Sequence, residues 1–316
     1  VGFKPDFVWL KGREGSSLNH ILCDSVRGVK RTLFTNNQLA EYTDRGVNSF
    51  DEDGFTLFYP GGDENNDGIE YVAWCWKAGG PAVTNTDGSI NSSVSVNRDA
   101  GFSIVSYTGN NTNNTTVGHG LGKTPAFVVT KSRSNTQSPA WHTSHVSLAA
   151  NYDLALDSTT AAWQPASNGW HELTNSSVFT LKNGSSDGNN VNRSGDAYIA
   201  YCWAEIEGYS KIGSYEGNGS ADGPFVYCGF KPAFLIRKSS TSVVGWYITD
   251  SARNPNNPVN TFLDTKDHDP DGTGTAVDFL SNGFKLRNAD AGTNYDNQTY
   301  IYIAFAESPF QTANAK

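Results

Sequence analysis

One loop carries the most specific spacing for chemistry. In DHDPDGTGTAVD, Asp267, Asp269, Asp271, Gly272 and Asp278 fall at positions 1, 3, 5, 6 and 12 of a loop that wraps Ca²⁺ with oxygen ligands. Calcium is therefore the one cofactor the spacing suggests. Pro270 at position 4, Asp in place of Glu at position 12 and the lack of flanking helical patterns depart from that loop. Asp278 also belongs to the VDFLSNGF frame of a strand, which gives it a structural reading as well. Asp63, Asn65, Asp67 and Gly68 form a shorter echo, but Trp74 at position 12 makes it a hairpin turn.

The second candidate is aromatic. Trp163, Trp170 and His171 stand in a stretch with no close counterpart elsewhere in the chain. A Trp face can stack on a sugar ring while nearby Asn and Asp bind hydroxyls, which makes this a candidate glycan site. The alternative is that both Trp cover the edge of a core. The six His are His20, His119, His142, His145, His171 and His268, and only His142 and His145 are close together. At i, i+3 on a strand they point to opposite faces, which suits structural roles better than chelation. No nucleophile elbow, phosphate loop, zinc pair or CxxC is present, and no carboxylate pair recurs. The expectation is a non-enzymatic protein with no catalytic residues.

Two sets of charged residues recur. Lys11, Lys131 and Lys238 end the same kind of apolar run. Asp24-Ser25 with Arg27 recurs as Asp250-Ser251 with Arg253, while His145 stands at that point of the middle of the chain. These residues read either as a repeated ligand pocket or as charges that blunt a sandwich edge, and the second reading is favoured.

These residues are positioned by a unit that occurs three times at a period of about a hundred residues, roughly one small domain. GFSIVSYTGN (101–110), PAFVVTK (125–131), SVFTL (177–181) and GDAYIAYCWAE (195–205) reappear as GYSKIGSYEGN (208–218), PAFLIRK (232–238), NGFKL (282–286) and TYIYIAFAE (299–307). The first copy has PDFVWLK (5–11), DGFTL (53–57) and IEYVAWCWKA (69–78), with no opening strand. Short alternating or continuous apolar runs bounded by Gly, Pro, Asn and Asp are the strand signature. About seven strands per copy predict an all-β chain of three tandem antiparallel β-sandwich, jelly-roll-like domains. The divisions are 1–79 for a first domain lacking its opening strand, 80–100 for a polar linker or arm, 101–207 for the second domain and 208–316 for the third with a short tail. A semi-rigid rod hinged at the arm is expected, with a strand from outside the first copy filling its gap; one short helix is allowed for between Asp24 and Tyr42. Cys75, Cys202 and Ala306 are aligned as one small core position, and Cys23 and Cys228 could bridge although their spacing does not ask for it.

The formal net charge of −9 and pI near 5.1 argue against nucleic acid as a partner. Charged residues are scarce at 17%, which suits an extracellular or virion surface, and no apolar run is long enough for a membrane-spanning helix. The chain has no Met, and Val1 is not expected to be a start site.

The motifs GFKPDFVWLKGR, DSVRG, YVAWCWKAGG, AGFSIVSYTGN, VGHGL, GYSKIGSYEGNGS, FVYCGFKPAF, WYITDSAR and YIAFAESPF resemble, in order and along essentially the whole chain, a repeat-domain family of marine bacteriophage (cyanophage-like) tail-fibre and other virion proteins. The resemblance implies a virion or extracellular setting, and its context suggests a tail-fibre or receptor-binding protein. The expectation is a non-enzymatic virion protein of that type, a homo-oligomer with a trimer favoured, with other virion proteins and a host cell-surface glycan as partners. It also leaves open a self-assembling fibre, sheath or decoration subunit, and a secreted bacterial adhesin or glycan-active enzyme.

Overall fold

The computed structural model describes residues 1–15, 17–58, 62–134, 140–164, 171–173, 175–182 and 191–308. The chain is all-β, and among the described residues its paired strands are antiparallel, with one isolated parallel bridge between Ile90 and Val117. The first segment forms β1 (Phe7–Gly12), β2 (Ile21–Asp24), β3 (Arg31–Phe34), β4 (Tyr42–Thr43), β5 (Val47–Asp51), β6 (Gly54–Leu57) and β7 (Tyr71–Trp76). Its main sheet has the order β4-β3-β2-β1-β7, and the β5-β6 hairpin forms a second layer. No helix forms between Asp24 and Tyr42: a turn after β2 leads into β3, with the Asp24 carboxylate accepting from the Arg27 backbone N–H at 2.8 Å.

The second segment forms β8 (Val83–Asn85), β9 (Ser92–Asn97), β10 (Phe102–Thr108), β11 (Thr115–Gly118), β12 (Phe127–Ser132), β13 (His142–His145), β14 (Leu154–Ala155), β15 (His171–Glu172), β16 (Val178–Leu181) and β17 (Ala197–Trp203). A sheet β14-β13-β12-β17-β10-β9-β8 faces a three-stranded sheet β11-β16-β15. The polar stretch 80–100 is thus an arm: β8 and β9 extend this sheet beyond β10.

The third segment forms β18 (Ser210–Glu216), β19 (Phe225–Tyr227), β20 (Pro232–Ser239), β21 (Tyr247–Asp250), β22 (Val259–Asp264), β23 (Gly272–Leu280), β24 (Gly283–Leu286) and β25 (Thr299–Ala306). Its strands run continuously as β18-β25-β20-β21-β22-β23-β24-β19. The ends of this sheet come together, because Tyr215, Tyr300 and Leu235 share a core with Val226, Phe279 and Phe284.

One register recurs at the centre of the three segments. Lys11 lies opposite Val72, Lys131 opposite Ile199 and Lys238 opposite Ile301. The same register places Cys75 opposite Val8, Cys202 opposite Val128 and Ala304 opposite Leu235. Ala304, rather than the expected Ala306, is therefore the counterpart of the two cysteines. All four cysteines are free; Cys202 is buried and Cys75 half-buried.

Because each central strand is apolar on both faces, each must serve two cores. Val8, Leu10, Ile21 and Cys23 face the first segment's own outer core. Phe7, Trp9, Trp74 and Trp76 turn the other way and join Phe102, Phe127, Trp203, Phe234, Trp246 and Phe305 in a single core drawn from all three segments. Phe7 packs edge-on against Tyr201 with centroids 4.9 Å apart, and Trp76 against Phe234 at 5.5 Å and Phe305 at 5.3 Å. Burying one such side chain contributes about 1.5–3 kcal/mol, and a well-oriented aromatic pair adds about 0.5–1.5 kcal/mol. A hinged rod would return these faces to water. The rod expectation fails for that reason.

Candidate functional site

His171, from the glycan candidate, lies at a groove of about 250 Å³ lined by Ser144, His145, Tyr152, Glu172 and Lys182 among others. Strand alternation puts His142 and Ser144 of β13 on one face, toward β15. Ser144 Oγ and His171 Nδ1 are 3.0 Å apart, and His142 Nδ1 meets the Asp153 carboxylate at 2.6 Å. Trp163 reaches this cluster through its backbone: it exchanges two hydrogen bonds with Asp153, at 2.9 and 3.1 Å. Its side chain is half-buried, while Trp170 lies outside the described residues. Sequence reasoning missed Ser144, Asp153 and Lys182; the H-x-S pattern within one strand was the available signal for the first.

The electrostatics of this groove favour neutral hydrogen bonding. Burial pushes the His171 imidazole down to about 3, helped by His142, and pushes His145 down to about 4. Both rings are neutral at ordinary pH, so His171 is a poor base for the Ser144 hydroxyl. The Lys182–Glu172 pair, at 2.9 Å, supplies charge at the rim. The opposite face of β13 behaves differently, since His145 Nε2 lies 3.2 Å from the Tyr302 carbonyl of the third segment.

The four carboxylates of the calcium loop do not converge. Asp267 pairs with Lys266, Asp278 with Arg287 at 3.3 Å, and Asp271 with both Arg253 at 2.6 Å and Arg13 at 2.9 Å. Asp269 is exposed, and its charge acts on Lys11. Among the described residues no group of three or more His, Cys, Asp and Glu is placed to hold a metal ion. Asp267, Asp271 and Asp278 are instead paired with Lys266, with Arg253 and Arg13, and with Arg287, which does not fit the expected calcium loop.

The recurring charged residues lie where the segments meet, which is neither a ligand pocket nor a blunted edge. Lys11 donates to the His268 carbonyl of the third segment at 3.2 Å, Lys131 to Gln38 of the first at 3.2 Å, and Lys238 to Thr159 of the second at 3.2 Å. All three are buried, and burial pushes each down to about 8. The backbone joins the same pairs of segments with donor and acceptor exchanged. Asp271 N–H donates to Arg13 O, Glu41 N–H to Arg133 O and Ala162 N–H to Ser240 O.

Other side chains donate in the same direction as the lysines. Trp141 Nε1 donates to Phe34 O at 2.8 Å and Trp246 Nε1 to Ala155 O at 2.9 Å; Thr35 donates to Thr265 O and Thr265 to Leu156 O. Trp74 Nε1 meets the Asp250 carboxylate at 3.1 Å, and Tyr201 OH the Asp24 carboxylate at 2.7 Å. Arg27 and Arg253 orient those carboxylates, at 2.5 and 2.6 Å. Glu41 then bridges Arg27 to Arg133, as Asp271 bridges Arg253 to Arg13. Burial alone would raise the Glu41 carboxyl, but the hydrogen bonds and charge of Arg133 and Arg27 hold it below its ordinary value.

No curated protein and no solved structure matches this chain. No helix among the described residues is long and apolar enough to cross a membrane. A family model described as a domain of unknown function, DUF7483, matches residues 1–309, and the chain belongs to that family.

Proposed function

We propose that the chain is a non-enzymatic phage virion protein of tail-fibre or receptor-binding type, in which three copies of one β-sandwich unit close on one another within a single polypeptide. The observation that carries this reading is the set of contacts running in one rotational sense, from first segment to third, third to second and second to first. Closed point-group symmetry is the usual way in which identical units satisfy their faces, and here the units are joined in one chain. The aromatic face that three separate chains would bury together is occupied internally. On this reading the chain is a monomer with threefold pseudo-symmetry, suited to a position on a fibre axis, in place of the favoured trimer. The virion setting rests on that same resemblance.

The receptor reading places a neutral polyhydroxylated ligand, a host-surface glycan, at the groove beside His171 and Trp163. Neutral imidazoles and the Ser144 hydroxyl line the groove and suit hydroxyl recognition, with Trp163 tied to it through Asp153, and the depressed His171 argues against acid–base chemistry. Light scattering on the purified chain should give the mass of one 34.2 kDa polypeptide. A glycan array should return ligands whose binding falls with Trp163→Ala while the fold is kept. A stable trimer, or binding indifferent to Trp163 and Glu172, would overturn the respective part.

A further inference from the structure

The first segment has two open strand positions that are filled in both other segments. β17 is flanked by β12 and β10, and β25 by β20 and β18, but among the described residues β7 pairs with β1 alone. In the outer layer β16 is flanked by β15 and β11, and β24 by β23 and β19, but among the described residues β6 pairs with β5 alone. The backbone of β7 is set to receive a partner. Arg13 N–H bonds to Glu70 O, so antiparallel alternation turns Val72, Trp74 and Trp76 toward β1 and Tyr71, Ala73 and Cys75 toward the open side. Their counterparts by register, Tyr198, Ala200 and Cys202, face Tyr107, Val105 and Ser103 of β10. A row of backbone groups so exposed is a template for another strand.

Val1 shows from where that partner arrives. Val1 N donates to Asp53 O at 2.9 Å, just ahead of β6, and Gly2 N donates to the same oxygen. In the third segment Cys228 N and Gly229 N share Asn282 O in the same way, just ahead of β24. Cys228 follows β19, whose Tyr227, Val226 and Phe225 pair with Gly283, Phe284 and Lys285. Val1 therefore sits where a strand paired with β6 would have ended, its backbone already aimed along Gly54, Phe55 and Thr56. We propose that polypeptide joined directly to Val1 completes the first segment with two strands, one antiparallel to β6 and one antiparallel to β7. The strand on β7 places an aliphatic side chain toward the shared core and a tyrosine on its other face, as β10 does with Ile104 and Tyr107 and β18 with Ile212 and Tyr215. Those two strands send Phe102, Ile104 and Ile212 into the shared core, so the added strand would complete that core as well.

The probe is a graft of residues 208–227, which contain β18, the connector and β19, fused directly ahead of Val1. Amide hydrogen exchange is followed at 54–57 and 71–76 in the grafted and ungrafted chains. The graft should slow exchange at the outward amides of Tyr71, Ala73 and Cys75 by ~100-fold or more, as for a ladder that joins a cooperative unit. A second graft with Pro in place of the residues equivalent to Gly213 and Tyr215 should give no such protection at β7. Unchanged exchange with the intact graft overturns the proposal. So does protection of the ungrafted chain that vanishes on dilution, because a second copy would then be the donor.

Discussion

Replacing Trp246 with alanine separates a fused unit from three independent domains. Trp246 is fully buried in the third segment, packs 6.1 Å from the Phe127 ring of the second, and donates to Ala155 O at 2.9 Å. Truncating a buried Trp costs about 3–5 kcal/mol through lost transfer energy and the cavity left behind. At 1.4 kcal/mol per tenfold, the slowest-exchanging amides should speed up by roughly a hundred- to several-thousand-fold. If the shared core makes the chain one cooperative unit, this acceleration appears in all three segments, including β1 and β2, which do not pair with any strand of the third. Hydrogen exchange read by mass spectrometry resolves the segments peptide by peptide. Acceleration confined to the third segment, with β1 and β2 changed by less than about threefold, would refute the reasoning.

Glu41→Gln leaves Arg27, which is fully buried, without its bridge to Arg133, and should cost about 3 kcal/mol in urea unfolding. Asp271→Asn, at a more exposed bridge, should cost about 1–2 kcal/mol. The buried lysines set a pH dependence of less usual sign. Their folded values near 8 lie below the unfolded value near 10.5, so the unfolded chain binds more protons between these limits and stability rises with pH there. The slope approaches about 1.4 kcal/mol per pH unit for each lysine, and Lys238→Met should reduce it when unfolding is followed from pH 8 to 9.5, below the range of the raised buried tyrosines. Melting temperature should be the same in Ca²⁺ and in chelator, since the loop carboxylates already hold arginine and lysine partners; a rise with Ca²⁺ would restore the calcium loop.

The strands were legible because their signals are local. PDFVWLK, PAFVVTK and PAFLIRK each place a continuous apolar run between Pro and a turn, and each became a two-sided central strand. The alignment of Ala306 with Cys75 was off by two residues for a related reason. A shift of two keeps every side chain on its own face, so periodicity cannot detect it, and only the pairing of β25 with β20 decides. The calcium loop and the recurring lysines were misread because their partners are remote: Arg13 lies 258 residues from Asp271, and His268 lies 257 from Lys11. His171 was flagged as unusual in sequence, but its Ser144 partner follows from sheet pairing that no local pattern encodes. The arm at 80–100 looked linker-like because Ser, Thr and Asn dominate it, yet alternating Ser92–Asn97 suffices for a strand beside β10.

Small-angle scattering on the monodisperse chain tests the central claim most directly. One compact body of this length should have a radius of gyration of about 20 Å. Three domains of about a hundred residues strung as a rod would give roughly 30 Å with an extended tail in the distance distribution. A value near 20 Å with a single-peaked distribution is the outcome predicted from the shared aromatic core. A value near 30 Å would mean that Phe7, Trp76, Trp203 and Phe234 do not meet in solution.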